Sequence, residues 1–434
     1  MRISVAPLPA TPSAFLRALC GENSRLTLAV LLAALALPCF AAEPAAPSWP
    51  EFHGVMRDNI ARESGLLKEW PAEGPKLLWS FAECGKGYAG VSAAEGLLFT
   101  TGDFGEDELV LALDLDGKLK WKAANGKAWK GAQPGSRTTP TWHDGILYQL
   151  NATGRLAAWT AASGKPLWSA DLEGRFAAQH NFWGYSENII LEGDMVLCMP
   201  GGAKGRVVAL DRKTGETIWA NTEIQDSAGY SSPLVVTYNG VRQLIALARK
   251  TVLSVDVRTG KLLWSHPHEG TCDQNVTSPV FHDGGVFVTA GHKSGGRMVK
   301  INPDGQSVTQ AWFGTDLDNC HGGVLYLDGY LYGSGCRLYK KGLVCADFAT
   351  GKTMYNSAEI GKVSTAYADG LLYCLSNDGP MLLVGVTPQQ ARIISRFVPP
   401  WREKPPCLSH PVICGGRLYI RHLNDLLAYD LRAK

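Results

Sequence analysis

The residues of this chain that could do chemistry cluster just upstream of short turns that end in glycine. Their aromatic, basic, amide and imidazole side chains would suit a polar or sugar-like ligand, or a peptide loop. His321, between Cys320 and Gly322-Gly323, is the sharpest candidate, because paired glycines let a ligand approach the backbone closely. The predicted ligand-binding residues are Lys86, Tyr88, Arg137, Trp183, Tyr185, Glu187, Tyr230, Asn275, Asn319, His321 and His410.

A structural role for several of these residues stays open. Tyr185-Ser186 and Tyr230-Ser231 occur at the same position of two successive repeats. Residues that enter a strand and bond the local backbone would recur in the same way. Arg137 would pair an anionic ligand or bond carbonyl groups of neighbouring strands. His266-Pro267-His268 with Cys272 lacks a fourth ligand at suitable spacing, so no metal site is predicted. No catalytic residue is assigned.

The elements that position these loops follow from an internal repeat. Eight times, a turn that ends in glycine is followed at once by a strand-like apolar run, at intervals of roughly 41 to 50 residues. Strand patterning at this period predicts the blades of a β-propeller. The turn glycines are Gly96, Gly145, Gly193, Gly240, Gly284, Gly329, Gly370 and Gly415.

A second periodic mark places an aromatic residue four positions after another turn glycine, as in Asp211, Gly215 and Trp219. The Asp side chain bonds its own backbone to open the turn, and Gly takes the positive φ. The regular spacing favours rings that pack against the neighbouring blade over rings that bind ligand. The predicted docking residues are Trp79, Trp121, Trp168, Trp219, Trp264, Trp312 and Tyr355, with Phe397 expected to end the series.

The two ends of the repeat region predict how the ring closes. The segment Lys76–Trp79 resembles an outer strand with nothing before it, and Leu426–Asp430 resembles the middle of a blade without its outer strand. Pairing them would hide two sheet edges. The chain is therefore predicted to be all-β, an eight-bladed propeller of four-stranded antiparallel blades. Seven blades is the alternative, because blades five and seven have degenerate turns.

Composition sets the remaining limits. The 434 residues are 45% hydrophobic, and the net charge of +2 arises within residues 1–41, so the rest is near neutral. A neutral body argues against a nucleic-acid partner. Arg25 followed by the apolar stretch Leu26–Leu37 and by Ala41-Ala42 predicts a signal peptide, with an uncleaved anchor as the alternative. We expect a periplasmic or secreted monomer without a membrane span after cleavage: signal 1–41, lead-in 42–74 and propeller 75–434.

Cysteine usage indicates neither zinc nor covalent haem. Eleven cysteines less Cys20 and Cys39 leave nine after cleavage, and no CxxC motif occurs. An odd number in an exported protein implies at least one free thiol. Cys407 and Cys414 are candidates for a bridge across a hairpin, which the sequence leaves undecided.

The repeated Ala-Leu-Asp-x-x-Thr-Gly-x-x-x-Trp text, as at 209–219, resembles the tryptophan-docking repeat of the pyrroloquinoline quinone (PQQ) propeller superfamily. The resemblance covers most of 75–434. The opening Trp49-Pro50-Glu51-Phe52-His53-Gly54, followed by Arg57-Asp58-Asn59, is similar to the start of its short exported members. The motif is specific for the fold and weak for the cofactor.

This resemblance implies two bracketing functions. The quinoprotein dehydrogenases bind PQQ with Ca²⁺ and oxidise alcohols or sugars, whereas the outer-membrane assembly scaffolds bind a protein partner. The alcohol dehydrogenases stack the quinone on a disulfide between adjacent cysteines, and this sequence has no Cys-Cys pair. No calcium set is assignable either, so no cofactor is assigned. We expect a binding or scaffold module for a protein partner or small polar ligand. A PQQ-dependent dehydrogenase and a glycan-binding accessory protein are the alternatives.

Overall fold

The computed structural model describes residues 47–270, 274–336 and 342–433. The predicted signal peptide and Cys272 lie outside these ranges. The described chain forms eight four-stranded antiparallel sheets, each a blade of a β-propeller, which confirms the eight-bladed prediction. One short helix, α1 (Leu172–Phe176), follows blade two and is capped by Asp171. In the described ranges, no helix is both long and apolar enough to cross a membrane.

The first four blades follow one another without interruption along the chain. Blade one is β3 (Ser92–Ala94), β4 (Leu97–Phe104), β5 (Asp107–Asp114) and β6 (Leu119–Lys127). Blade two is β7 (Thr141–His143), β8 (Ile146–Leu150), β9 (Arg155–Thr160) and β10 (Pro166–Asp171). Blade three is β11 (Ile190–Glu192), β12 (Met195–Cys198), β13 (Val207–Asp211) and β14 (Thr217–Asn221). Blade four is β15 (Leu234–Tyr238), β16 (Val241–Leu247), β17 (Thr251–Asp256) and β18 (Leu262–Pro267).

The remaining blades include two that take a strand from the N-terminal part. Blade five is β19 (Val280–His282), β20 (Gly285–Ala290), β21 (Gly295–Ile301) and β22 (Val308–Gly314). Blade six is β23 (Val324–Leu327), β24 (Tyr330–Ser334), β25 (Leu343–Asp347) and β26 (Thr353–Ser357). Blade seven is β27 (Val363–Ala368), β28 (Leu371–Ser376), β29 (Met381–Val386) and β30 (Ala391–Phe397), with β1 (Ile60–Ala61) added beside β27. Blade eight is β31 (Val412–Cys414), β32 (Arg417–His422), β33 (Asp425–Asp430) and β2 (Leu77–Phe81).

The glycine turns are hairpins between the first two strands of the blades. Asp144 and Gly145, for example, both take positive φ, at 46° and 72°. Two such residues in succession match the twist of the flanking strands, and Asp-Gly adopts them at low cost. The second and third strands, such as β12 and β13, are buried along almost their whole length. The first strand of each blade therefore lies innermost, and the fourth lies at the rim.

Pairing of the two chain ends closes the ring as predicted. β2 runs antiparallel to β33, with Trp79 opposite Ala428 and Phe81 opposite Leu426. β1 is a different addition, because it pairs in parallel with β27, the innermost strand of blade seven. Residues upstream of the closing strand therefore reach the central channel.

The docking tryptophans lie at bulges of the outer strands. In blade three, Trp219 is opposite Ala209 but Thr217 is opposite Leu210, so Ile218 is extra. All eight blades have this irregularity between their third and fourth strands, and a bulge redirects the side chain that follows it. Five indole N–H groups thereby donate to carbonyls of the next blade: Trp79 to Leu115, Trp121 to Ala161, Trp168 to Arg212, Trp219 to Val257, and Trp312 to Phe348.

The turn glycine of the next blade receives each of these rings. A Cβ atom at Gly215 would lie 2.5 Å from the Trp168 ring, and its φ of 73° also disfavours other residues. Trp264 differs, because its N–H donates to Gln243 within its own blade while Gly305 of blade five faces Val241. The degenerate turn of blade five therefore coincides with a joint that lacks this hydrogen bond.

Blade seven corrects one expectation. The position equivalent to a docking aromatic is Ser395, which lies opposite Leu383 at the bulge, and Phe397 lies two residues beyond it. Trp70, from the segment before β2, packs on Phe397 and Tyr373 at centroid distances of 5.5 and 5.7 Å. Phe397 itself packs on Gly74, where a Cβ atom would lie 2.6 Å from the ring, and Trp70 adds a second ring from the N-terminal part. Tyr355 of blade six is buried at its hydroxyl, which has no described hydrogen-bond partner.

Candidate functional site

A cavity of about 330 Å³ lies where the loops that enter the innermost strands converge. Its volume is in the range of small-molecule sites. We call it the mouth cavity. Aromatic and cationic side chains line it together with neutral polar groups, and it includes six of the predicted ligand-binding residues: Tyr88, Arg137, Trp183, Tyr230, His321 and His410.

The other five predicted residues lie outside this lining. Lys86 is exposed, and its backbone bridges to Asp103. Tyr185 is buried in the core, and its hydroxyl donates to the Pro200 carbonyl. That bond matches the structural interpretation of Tyr185 that the sequence left open. Tyr230, at the equivalent position, does line the cavity.

Glu187, Asn275 and Asn319 are buried in the walls behind the cavity. Glu187 accepts hydrogen bonds from the Met199 N–H at 3.1 and 3.0 Å, and burial raises its pKa to about 8. Asn275 donates to two carbonyls of the loop after β16, and Asn319 donates to the Ser334 carbonyl. The Glu187 and Asn319 contacts tie an entry loop to its own blade, and the Asn275 contacts tie the loop that enters blade five to blade four. Whether any of the eleven residues binds a ligand stays a prediction.

The floor of the mouth cavity is built by residues 49–62, which we call the channel segment. Phe52 and His53 line the cavity from below. The segment is pinned on several sides: Trp49 bridges to Ala93 of blade one, and the Pro50 carbonyl accepts from Trp142 N–H of blade two. His53, Arg57 and Asn59 all have positive φ, between 54° and 66°, so the segment is tightly coiled.

Arg57 and Asn59 complete the anchoring of the channel segment. Arg57 pairs with Glu51 and donates to the carbonyls of Ile189 and Asn188 at the entry to blade three. Asn59 donates to the Thr365 carbonyl of blade seven. The guanidinium and the amide therefore connect the segment to opposite parts of the ring. Side-chain bonds to backbone carbonyls on both sides fix its position across the channel.

His53 and His410 form a hydrogen-bonded pair in the floor and wall of the cavity. His53 Nε2 lies 3.1 Å from His410 Nδ1, and the Asn59 amide nitrogen lies 3.4 Å from the same atom. The amide nitrogen can only donate, so His410 Nδ1 accepts and its proton is on Nε2. Burial lowers the pKa of His410 to about 4, and burial with the neighbouring His410 lowers that of His53. Both rings are therefore neutral at physiological pH.

His321 contacts the ammonium group of Lys362 in another part of the wall. Lys362 Nζ lies 3.0 Å from His321 Nδ1 and 3.0 Å from Cys320 Sγ. An ammonium group only donates, so His321 also carries its proton on Nε2. Burial and the charge of Lys362 lower the pKa of His321 well below its ordinary value. Neutral imidazoles of this kind offer N–H donors without adding charge.

Arg137 is the second cation of the cavity. Its Nη2 donates to the carbonyls of Ala132 and Gln133, and its guanidinium carbon lies 5.5 Å from the centroid of the Trp129 ring. Its buried Nε has no hydrogen-bond partner in the described part of the chain. Neither Arg137 nor Lys362 forms an ion pair with a described carboxylate. The cations of the cavity are thus held by neutral groups.

A second cavity, of about 310 Å³, lies on the other side of the channel segment. Met56, Arg57 and Arg62 of that segment line it, together with residues of the innermost strands of blades four to six. Tyr326 from β23 stacks there on His282 from β19, at a centroid distance of 4.1 Å. His53 lines both cavities, so the channel segment lies between them.

Sequence reasoning missed several residues of the mouth cavity, among them Phe52, His53 and Lys362. Phe52 and His53 belong to the opening motif that was recognised only as a family resemblance. Lys362 follows Gly361 in the loop that leads to β27, and that loop contributed none of the predicted residues. The cationic side chain of Lys362, in a loop that enters an innermost strand, was the signal that could have found it. The fold of the channel segment back into the ring left no periodic signal at all.

Comparison with known proteins agrees with the fold. The family described as outer membrane protein assembly factor BamB matches residues 106–357, more than half of the chain. The chain belongs to this family of PQQ-like propellers. BamB from Moraxella catarrhalis superposes with a TM-score of 0.60 at 14% identity, covering 82% of this chain and 100% of that one. A europium-containing methanol dehydrogenase superposes at 0.63 and 11% identity, covering 86% and 89%. At these identities the likeness shows the fold alone.

Enzymes of the superfamily match shorter stretches of sequence. Quinohemoprotein alcohol dehydrogenase ADH IIB from Pseudomonas putida is 35% identical over 140 residues, which is 30% of this chain and 20% of that protein. Quinoprotein alcohol dehydrogenase PedH from Pseudomonas putida is 25% identical over 205 residues, 46% of this chain and 31% of that protein. This chain therefore spans only about a fifth to a third of these relatives.

The mouth cavity does not fit the PQQ and Ca²⁺ pair of such enzymes. Ca²⁺ takes six to eight oxygen ligands, with carboxylates prominent among them. No Asp or Glu is among the described residues that line the cavity. Glu187 and Asp318, in the loops behind it, are buried and bind backbone N–H groups. The two cations suit carboxylates of a ligand, but the described lining offers no protein carboxylate to the calcium ion.

Proposed function

We propose that this protein is an exported binding propeller that takes a small polar ligand into the mouth cavity. The observation that carries the proposal is the composition of the lining, where aromatic rings and two cations without carboxylate partners among the described residues surround a small-molecule-sized space. The channel segment closes the cavity from below, so a ligand would enter from the loop face. Export rests on the signal-like segment 25–42 of the sequence.

The dehydrogenase alternative is less well supported by the same lining. Alcohol oxidation needs a group that accepts a proton from the substrate, and a carboxylate or imidazole near the reacting atom would serve. The cavity offers imidazoles that are already engaged, His321 by Lys362 and His410 by His53. Without carboxylates for Ca²⁺ the geometry favours binding over oxidation.

A protein partner is the second candidate, and one observation at the rim favours it. Phe182 is 68% exposed and meets Trp183 edge-on, at a centroid distance of 4.9 Å. An exposed aromatic beside a cavity suits an apolar side chain of a docking peptide. The family description of an assembly factor agrees with this candidate.

A ligand screen by thermal shift tests the first candidate. We expect small hydroxylated compounds to raise the melting temperature of the wild type, with a much smaller rise in Trp183→Ala. Phe313→Ala, which removes an exposed ring from an outer strand, is the matched control and should respond like the wild type. Equal stabilisation of all three proteins would place any binding elsewhere and contradict the proposal.

Reconstitution with PQQ and Ca²⁺ distinguishes binding from oxidation. Purified protein is titrated with both and assayed for dye reduction with a panel of alcohols and sugars. We expect no turnover above the free quinone. Stoichiometric, Ca²⁺-dependent quinone binding with turnover would establish the dehydrogenase instead.

A further inference from the structure

The donors of the mouth cavity are more numerous than the groups that satisfy them. A guanidinium has five N–H donors and an ammonium has three. Arg137 has two described hydrogen bonds, both from Nη2, and Lys362 contacts one imidazole nitrogen and one sulfur. Each cation therefore keeps donors for a ligand. Both cations line the same cavity.

Neutral groups around these cations would bind hydroxyls. Gln274 contacts His292 through Oε1 at 2.8 Å, and its NH₂ group has no partner in the described ranges. Gln133 accepts from the Tyr88 hydroxyl at 3.3 Å, and its NH₂ group likewise has no described partner. Ser278, on the entry to blade five, adds a hydroxyl to the lining. Amides and hydroxyls of this kind donate and accept at once, as the hydroxyls of a sugar require.

The rings of Trp183 and Tyr230 provide the apolar part of the same lining. Their ring faces suit the C–H face of a sugar, since aromatic surfaces combine apolar area with a partial negative charge. The lining thus has three chemical components: aromatic rings, neutral hydrogen-bonding groups and two cations. A neutral sugar would use only the first two and would leave the cations unpaired.

We propose that the ligand of the mouth cavity is an acidic sugar, of the uronic acid class, whose carboxylate is bound by Arg137 and Lys362. This inference rests on the proposed function, because it names the ligand class of that same cavity. Arg137 presents a planar fork that matches a carboxylate, whereas Lys362 acts as a point charge. The carboxylate would supply the anion that the protein itself does not place in the lining.

Isothermal titration with a matched pair of probes tests the charge. The probes are glucuronate and its uncharged methyl ester, which share every ring hydroxyl. A charge-assisted hydrogen bond contributes about 1.5–3 kcal/mol, so we expect glucuronate to bind roughly 10-fold or more tightly than the ester. Arg137→Gln and Lys362→Gln should each weaken glucuronate binding by about 10-fold and leave ester binding nearly unchanged.

Arg62→Gln is the control variant, since Arg62 is an exposed arginine of the second cavity and is paired with Asp58. It should bind both probes like the wild type. Raising the salt concentration should weaken wild-type binding of glucuronate only. This measurement needs no variant, so a folding defect in either cation variant does not remove the test.

The possible failures are separable. If glucuronate and its ester bind equally well, and Trp183→Ala loses both, the proposal of an acidic ligand is overturned. The cavity would then remain the binding site. No heat with glucuronate at millimolar concentration would also overturn the acidic ligand, while hits from the wider ligand screen would still support the proposed function. A charge preference that persists in both cation variants would overturn the assignment to Arg137 and Lys362.

Discussion

The two cavities on either side of the channel segment are similar in volume, but they differ in whether their cations are paired with carboxylates. In the second cavity, Arg62 pairs with Asp58 at 2.5 Å, and Arg57 pairs with Glu51. Those carboxylates come from the channel segment itself. In the mouth cavity, Arg137 and Lys362 have no such partners among the described residues.

This difference supports the proposal that a ligand binds in the mouth cavity. A partly buried cation that the protein has already paired gains little from a ligand, because the ligand must displace an internal bond. A cation held only by neutral groups gains a full charge-assisted bond when an anion arrives. The mouth cavity therefore keeps the donors that the proposed ligand would need. In the second cavity, the same kind of group is already used to hold the channel segment in place.

Deletion of the channel segment should have the largest effect on this comparison. Removing residues 49–62 takes away the cavity floor and the buried Trp49, whose loss alone is comparable to truncating a core tryptophan, about 3–5 kcal/mol. We expect the melting temperature to fall by roughly 5 °C or more and glucuronate binding to disappear. β2 remains in this variant, so ring closure is not removed. An unchanged melting temperature and affinity would mean that the two cavities are not separated by this segment.

Trp219→Ala tests whether the outer joints are independent of both cavities. Loss of the ring and of its bond to the Val257 carbonyl should cost about 3 kcal/mol in urea unfolding. Ligand affinity of the folded protein should not change, because the joint lies at the rim. Ile218→Ala, at the neighbouring half-exposed bulge residue, should stay within about 0.5 kcal/mol. A large loss of affinity in Trp219→Ala would link the rim to the mouth.

Glu187→Gln tests whether the buried carboxyl group behind the mouth cavity is neutral. The pKa of Glu187 is raised to about 8, so between pH 5 and 8 the folded protein keeps a proton that the unfolded chain releases. Stability is then greatest at low pH and falls as the pH rises toward the folded pKa. Glutamine mimics the protonated acid, so we expect the variant to be more stable by about 1–3 kcal/mol at pH 8 and nearly unchanged at pH 5. The same difference from wild type at both pH values would contradict a buried neutral carboxyl.

The smallest effect is expected for Arg62→Ala. Its ion pair with Asp58 is largely exposed, and such pairs contribute about 0–1 kcal/mol. We expect a melting temperature within about 1 °C of wild type and no change in ligand affinity. A clear loss of affinity would show that the second cavity contributes to binding, and the contrast between the two ends would then fail.

The blades were predictable because their signals are local and repeated. Asp144-Gly145 specifies a hairpin within two residues, and the spacing from Gly215 to Trp219 specifies a joint within five. The closing pair of β2 and β33 was predictable because each end carries a strand pattern without a partner. The exceptions arise where the repeat is broken, as at Ser395, where the ring that packs on a glycine is shifted by two residues to Phe397.

The mouth cavity was only partly predictable, since it depends on contacts between distant parts of the chain. Position in the repeat placed Arg137 and His321 at the mouth, but it placed Tyr185 and Asn275 there as well. The direction of each side chain decides between lining and wall, and the repeat does not encode that direction. His53 meets His410 from a segment 357 positions away in the chain, and no periodic pattern links the two.

The pairing of β2 with β33 has a consequence for how the protein is made. The outer strand of blade eight is synthesised before all the other blades, and its three companions are synthesised last. Until then the nascent ring has an unpaired edge at each end, and such edges recruit other strands. A chain that lacked β31 to β33 would keep both edges exposed. Pairing of β33 with β2 therefore covers the two edges in one step.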